Sequence, residues 1–97
     1  MFVGTLAFDL LLGDVHSLKE KRSVVRPIVA ELRRRFTVSV AETGHQDLHR
    51  RAEIGVAVVS GDPGHLKEVL DQCERWMAAR QEVELLSVRH RIHGPDD

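Results

Sequence analysis

Apolar and polar or small residues alternate from Phe2 to Leu12: Phe2, Leu6, Phe8, Leu10 and Leu12 share one face, and Thr5, Ala7 and Asp9 share the other. A period of two is that of a half-buried strand. Gly13-Asp14 ends it, and after Ser17 the period becomes helical. Projected at about 100° per residue, Leu18, Val25, Ile28, Val29, Leu32 and Phe36 gather in one sector. Ser17 and Glu20 have capping-box spacing, and Arg33-Arg34-Arg35 complement the negative pole of the helix at its end. Pro27 falls mid-helix, removes the backbone bond to Ser23, and predicts a kink costing up to about 3 kcal/mol. A second strand, Thr37 to Glu42, turns Val38 and Val40 inward. Thr43-Gly44 is a turn, and a third strand from Ala52 to Ser60 buries Ile54, Val56 and Val58. Asp62 and Pro63 open a second helix that presents Leu66, Val69, Leu70, Cys73, Trp76 and Met77 on one face and ends near Arg80. The last strand, Glu82 to Ile92, has Leu86, Val88 and Ile92 on its expected inner face, and Gly94 to Asp97 is a frayed tail.

The order strand-helix-strand-strand-helix-strand implies an α+β fold. Right-handed crossovers place both helices on one face of a four-stranded antiparallel sheet, the split β-α-β or ferredoxin-like arrangement. The first and third strands are expected at the centre and parallel to one another. The other sheet face is left open, with Thr5, Ala7 and Asp9 beside Ala41, Gly55 and Ala57, and with Arg89 and Arg91 from the last strand. That face carries no aromatic residue and the chain has no Tyr, so stacking of RNA bases on the sheet is not expected. A flat surface of small residues suits another protein surface, including a second copy of the chain.

With 97 residues the chain has core enough for one domain, residues 1–97. Its 42% hydrophobic and 30% charged composition excludes a disordered chain. A net charge of −1 excludes a protein coated in positive charge, but the halves differ. Residues 1–51 hold nine Lys/Arg and six Asp/Glu, whereas 52–97 hold five and nine. Anion binding must therefore be confined to a patch, and the first helix is that patch. Cys73 is the single cysteine and can form no internal disulfide. The segment 2–12 is interrupted by Thr5 and Asp9 and is far too short to span a bilayer. A cytoplasmic, reduced protein is expected.

Lys19, Arg22, Arg26 and Arg33 fall within about 60° of one another on the helix, and none has an acidic residue three or four places away. Lys19, Lys21 and Arg22 also lie near the positive pole of the helix, where cations are mildly unfavourable. Two accounts fit this stripe: a solvated flank that keeps a small protein in solution, or a contact surface for phosphates. On the second account Lys19, Lys21, Arg22 and Arg26 are the main nucleic-acid contacts, with Arg33, Arg34, Arg35, Arg50 and Arg51 as secondary contributors. Lys21 projects into the apolar sector, so its stem can run past the core. No metal site is expected, because His45 with His49 and His90 with His93 lack the cysteines or carboxylates that would complete a tetrahedral set. Catalysis has little support. Acylphosphatases share this architecture and cradle phosphate with an Arg after the first strand and an Asn. Here that loop is Gly13-Asp-Val-His-Ser17, and the chain has no Asn. Cys73, on an apolar helix face, reads as an inert thiol, and no cofactor is expected.

Ser17-Leu-Lys-Glu-Lys-Arg22, Phe36-Thr-Val-Ser-Val-Ala-Glu42, Asp47-Leu48 with Arg51-Ala52, and Gly55-Val-Ala-Val-Val-Ser60 resemble, in order and spacing, the YlxP-like family of small bacterial proteins. The resemblance covers nearly the whole chain. It implies a ferredoxin-like fold and a setting near translation and ribosome-maturation genes. The chain departs from the family pattern at Thr37, where Asn is usual, and at His49, where Trp is usual. The expected function is a non-enzymatic interaction module associated with RNA or ribonucleoprotein through its first helix. The alternative is a protein-protein module that homodimerises through the open sheet face.

Overall fold

The structure, a computed structural model, describes residues 1–96. Its elements are β1 (Phe2–Leu12), α1 (Leu18–Phe36), β2 (Ser39–Gly44), β3 (Arg51–Ser60), α2 (Pro63–Ala78) and β4 (Val83–His93). The sheet order is β2-β3-β1-β4, with both helices on one face, which is the ferredoxin-like α+β fold. β1 and β3 are central as expected, but they pair antiparallel, not parallel. The right-handed crossover through α1 makes β1 parallel to β2. The β2–β3 hairpin then reverses the chain and lays β3 antiparallel between them.

Alternation in the central strands builds the core. Leu6, Phe8, Leu10 and Leu12 of β1 and Ala52, Ile54 and Val56 of β3 are all but sealed from solvent. Val25, Ile28 and Leu32 of α1, and Leu66, Leu70, Cys73 and Met77 of α2, close over them. Each large side chain buried this way contributes about 1.5–3 kcal/mol relative to exposure. Gly4 lets α2 approach the sheet: a Cβ there would stand 2.7 Å from Leu70 Cδ1.

Ser17 caps α1, its Oγ accepting from the Glu20 amide at 3.1 Å, while Glu20 reaches back to accept from the His16 amide. The helix runs through Pro27 as one element. Pro27 and Ser23 lie on its exposed side, where water can serve the carbonyl that proline leaves without a donor. Three local expectations are corrected. Thr43 and Gly44 do not turn the chain but extend β2, whose register against β3 shifts between Glu42 and Gly44. Thr37 belongs to no strand: it caps α1 in the left-handed conformation (φ 52°, ψ 52°), so β2 starts at Ser39. In β4 the register shifts, with Ser87 opposite Asp9 but Leu85 opposite Leu10. Leu86 is the extra residue of this bulge and is 43% exposed, and Val83 and Leu85 take the inward positions. Beyond the bulge Val88 and Ile92 stand opposite Phe8 and Gly4 on the helix side, although Ile92, at the outer edge, is still 44% exposed.

A left-handed conformation costs a β-branched residue about 1–2 kcal/mol, and asparagine adopts it more readily. Thr37→Asn is therefore expected to raise stability by about 0.5–1 kcal/mol, read as a higher urea midpoint at unchanged m. A midpoint that stays or falls would show that Thr37 carries no strain.

Candidate nucleic-acid interface

The polar flank of α1 projects away from the core beside edge strand β2. Lys19, Arg22 and Arg26 are exposed there, and among the described residues none makes a hydrogen bond or ion pair. Arg33 continues the row but is partly engaged, its Nη2 donating to the Val40 carbonyl at 2.5 Å. Between helix and strand runs a groove of about 370 Å³. Arg22, Arg26 and Arg33 line it with Val25, Val29, Ala30 and Ala41, and Glu42 closes one side.

Lys21 is corrected from an exposed phosphate contact to a buried residue. Only 2% exposed, it donates from Nζ to the His45 carbonyl at 2.7 Å and lies 2.9 Å from Glu42 Oε2. Its position in the apolar sector of α1 forces this, since a desolvated ammonium needs both a counter-charge and an acceptor. The alternation of β2 held the missing signal: Glu42 shares the parity of Val38 and Val40, so it points at the helix. His45 presents its carbonyl from a residue with φ 58°, the only other positive φ at a non-glycine position among the described residues.

The secondary cations are mostly engaged by neighbours. Arg34 and Arg35 both hold Glu31, at 2.5 and 3.1 Å, and the hydrogen bond from Arg34 lowers the Glu31 pKa. Arg50 ties down the loop after β1, donating from Nε to the Gly13 carbonyl at 2.8 Å. Arg51 turns to the open sheet face and holds Asp9 at 2.6 Å. The structure thus gathers Lys19, Arg22, Arg26 and Arg33 on one flank, and leaves Lys21, Arg34, Arg50 and Arg51 with partners inside the fold.

The open face carries a second charge cluster that the spacing along the chain did not reveal. Asp9 stands directly opposite Glu53, a repulsive placement for like charges. Arg51 and His45 flank Asp9, the imidazole at 3.5 Å, while Arg89 and Thr43 take Glu53 at 2.7 Å each. The Arg51 hydrogen bond, followed by its charge and those of His45 and Arg89, holds the Asp9 carboxyl below its ordinary value against the opposing effect of burial. On the helix side His90 meets Glu74 of α2. No group of three or more metal-ligating side chains occurs among the described residues. Burial pushes the Cys73 thiol up to about 11, which suits a packing role. None of the described helices is long and apolar enough to cross a membrane.

The profile of a family described as "Protein of unknown function (DUF503)" matches residues 3–90. The chain belongs to this family. The Bacillus subtilis (strain 168) "Uncharacterized protein YlxP" is 30% identical over 82 residues, covering 84% of this chain and 89% of the relative. The DUF503 match takes in all of α1, β2 and the open-face cluster, so every residue of the groove lies within the family domain.

Because the native Asp9 pKa is depressed, the unfolded chain binds its proton more tightly. The carboxylate's contribution is complete above the usual aspartate value of 3.8 and fades as pH falls through the lower native value. Asp9→Asn should lower the urea midpoint at pH 7, and its difference from wild type should shrink as pH falls below the usual aspartate value of 3.8. Parallel curves over that whole range would mean that the Arg51 pair does not stabilise the fold.

Proposed function

We propose that this DUF503 domain is a non-enzymatic module that docks on RNA, free or within a ribonucleoprotein, through the outer flank of α1. Lys19, Arg22 and Arg26 contact phosphates and Arg33 extends the row. The supporting observation is that the first three are exposed without hydrogen bond or ion pair among the described residues, in a protein whose other cations are largely engaged by neighbours. From Lys19 to Arg33 the row spans about 21 Å at the helical rise, room for several phosphates of one strand. Such contacts position the protein without reading sequence. The family resemblance to a setting near translation genes agrees with a ribosomal or pre-ribosomal RNA partner.

A second reading draws on the open sheet face. Thr5, Ala7, Ser39, Ala41, Gly55 and Ala57 line a shallow depression of about 430 Å³ there, and Val59 beside it is 62% exposed. A surface so small and apolar at its centre, with charges at its rim, suits packing against a second copy.

Three or four neutralised phosphates give a slope of log K against log salt of about −2 to −4. Changing Lys19, Arg22 and Arg26 together to Glu should abolish binding to ribosomal RNA in a low-salt filter or anisotropy assay while leaving the melt nearly unchanged. Salt-independent binding, or an unaffected triple variant, would refute the docking surface. For the sheet face, sedimentation equilibrium should show a dimer that Ala57→Arg converts to monomer; a wild-type monomer at high concentration removes that reading.

A further inference from the structure

We propose that the outer edge of β4 pairs antiparallel with β4 of a second copy about a twofold axis at Val88, joining two four-stranded sheets into one. The two edges of the sheet are closed to different degrees. Along β2, side chains occupy the backbone: the Val40 carbonyl accepts from Arg33 and the Glu42 carbonyl from Gln46 at 3.2 Å. Just past the strand, the His45 carbonyl accepts from Lys21. β4 is the longer edge, 11 residues against 6, and β1 is its only strand neighbour. Among the described residues no side chain donates to its backbone. An open row of amides and carbonyls of this length is a template for another strand.

Charge decides which strand that is. Charged side chains on an edge commonly repel strangers. On β4 they are divided by sign, with Glu84 near the start and Arg89 and Arg91 near the end. Such an edge opposes a parallel copy with like charges and meets an antiparallel one with opposite charges. Set Val88 against Val88, and leave Leu86 over in each copy as it is left over against β1. Ser87 then faces Arg89, Leu85 faces His90, Glu84 faces Arg91 and Val83 faces Ile92. Every pair joins residues of one sheet face: Glu84 and Arg91, for example, stand opposite Leu11 and Thr5 on the open side. Glu84 and Arg91 are exposed, and among the described residues neither makes a hydrogen bond or ion pair. Arg89 already holds Glu53. The register thus joins the two unengaged charges, twice by symmetry, and lays Val83 beside Ile92, which is 44% exposed in the single chain. Registers centred on Arg89 or His90 set arginine against arginine. One centred on Ser87 spends Glu84 on the engaged Arg89 and leaves Ile92 past the end of the partner strand. The basic flank of α1 lies at the opposite, β2 edge, so this pairing leaves the RNA reading untouched.

Sedimentation equilibrium on the full chain tests the pairing, and wild type should be a dimer. Glu84→Arg and Arg91→Glu each place like charges opposite one another at both symmetry-related points. Each should weaken the dimer at least about tenfold. Mixed in equal amounts, the two variants regain an opposite-charge pair at both points and should associate about as tightly as wild type. That recovery also shows that neither substitution damages the fold. Ala57→Arg, on β3 with β1 between it and this edge, should leave the dimer intact. A wild-type monomer at high concentration, single variants as tight as wild type, or a mixture no tighter than its components would overturn the edge pairing. A dimer dissolved by Ala57→Arg but not by the charge reversals would overturn it as well, and would put the interface on the open sheet face.

Discussion

A four-stranded sheet with two helices has one face it can cover and one it cannot, and every surface property of this protein follows from that constraint. The two central strands place alternate side chains on opposite faces. One set, from Leu6 to Leu12 and from Ala52 to Val56, is removed from water by α1 and α2. The other set faces solvent and is mostly small, hydroxylated or charged, with Val59 left 62% exposed, and its carboxylates Asp9 and Glu53 are shared out among Arg51, His45, Arg89 and Thr43. Each helix then has a single inward face, and its outward face is free to carry charge.

On α1 this division sorts cations that look alike in the sequence. Lys21 is surrounded by charged residues along the chain, yet the helical period delivers it to the covered side, where desolvation would be costly without Glu42 and the His45 carbonyl. Lys19, Arg22 and Arg26 emerge on the other side, and among the described residues none of the three makes a hydrogen bond or ion pair. The bridge from Lys21 also ties edge strand β2 to the helix beside the groove that Arg22, Arg26 and Arg33 line. The row is thus a local concentration of positive charge on a protein whose net charge is −1.

Legibility from the chain was uneven for physical reasons. The strand and helix periods, the cap at Ser17, the Asp62-Pro63 start and the single covered face were open to reading, because each is written in residues close together. Thr37 precedes the alternating Val38 and Val40 and has a β-branched side chain, a strand preference overridden by the need to end α1 and reverse direction within two residues. Unbroken alternation puts Leu86 inward; the bulge that displaces it is a property of pairing with β1 and leaves no mark within β4 itself. The relative sense of β1 and β3 follows from combining a hairpin with a crossover, which no single segment displays.

The sequence by itself determined the element order, the fold class and the membership of a basic row along one flank of the first helix, since all of these depend on spacings of a few residues. Only the tertiary structure decided which cations are spent. Arg51 meets an aspartate 42 positions away, Lys21 a glutamate 21 positions away, and Arg33 a carbonyl on the neighbouring strand. Charges act across space, and the distances that govern them exist only once the crossover has brought α1 against β2.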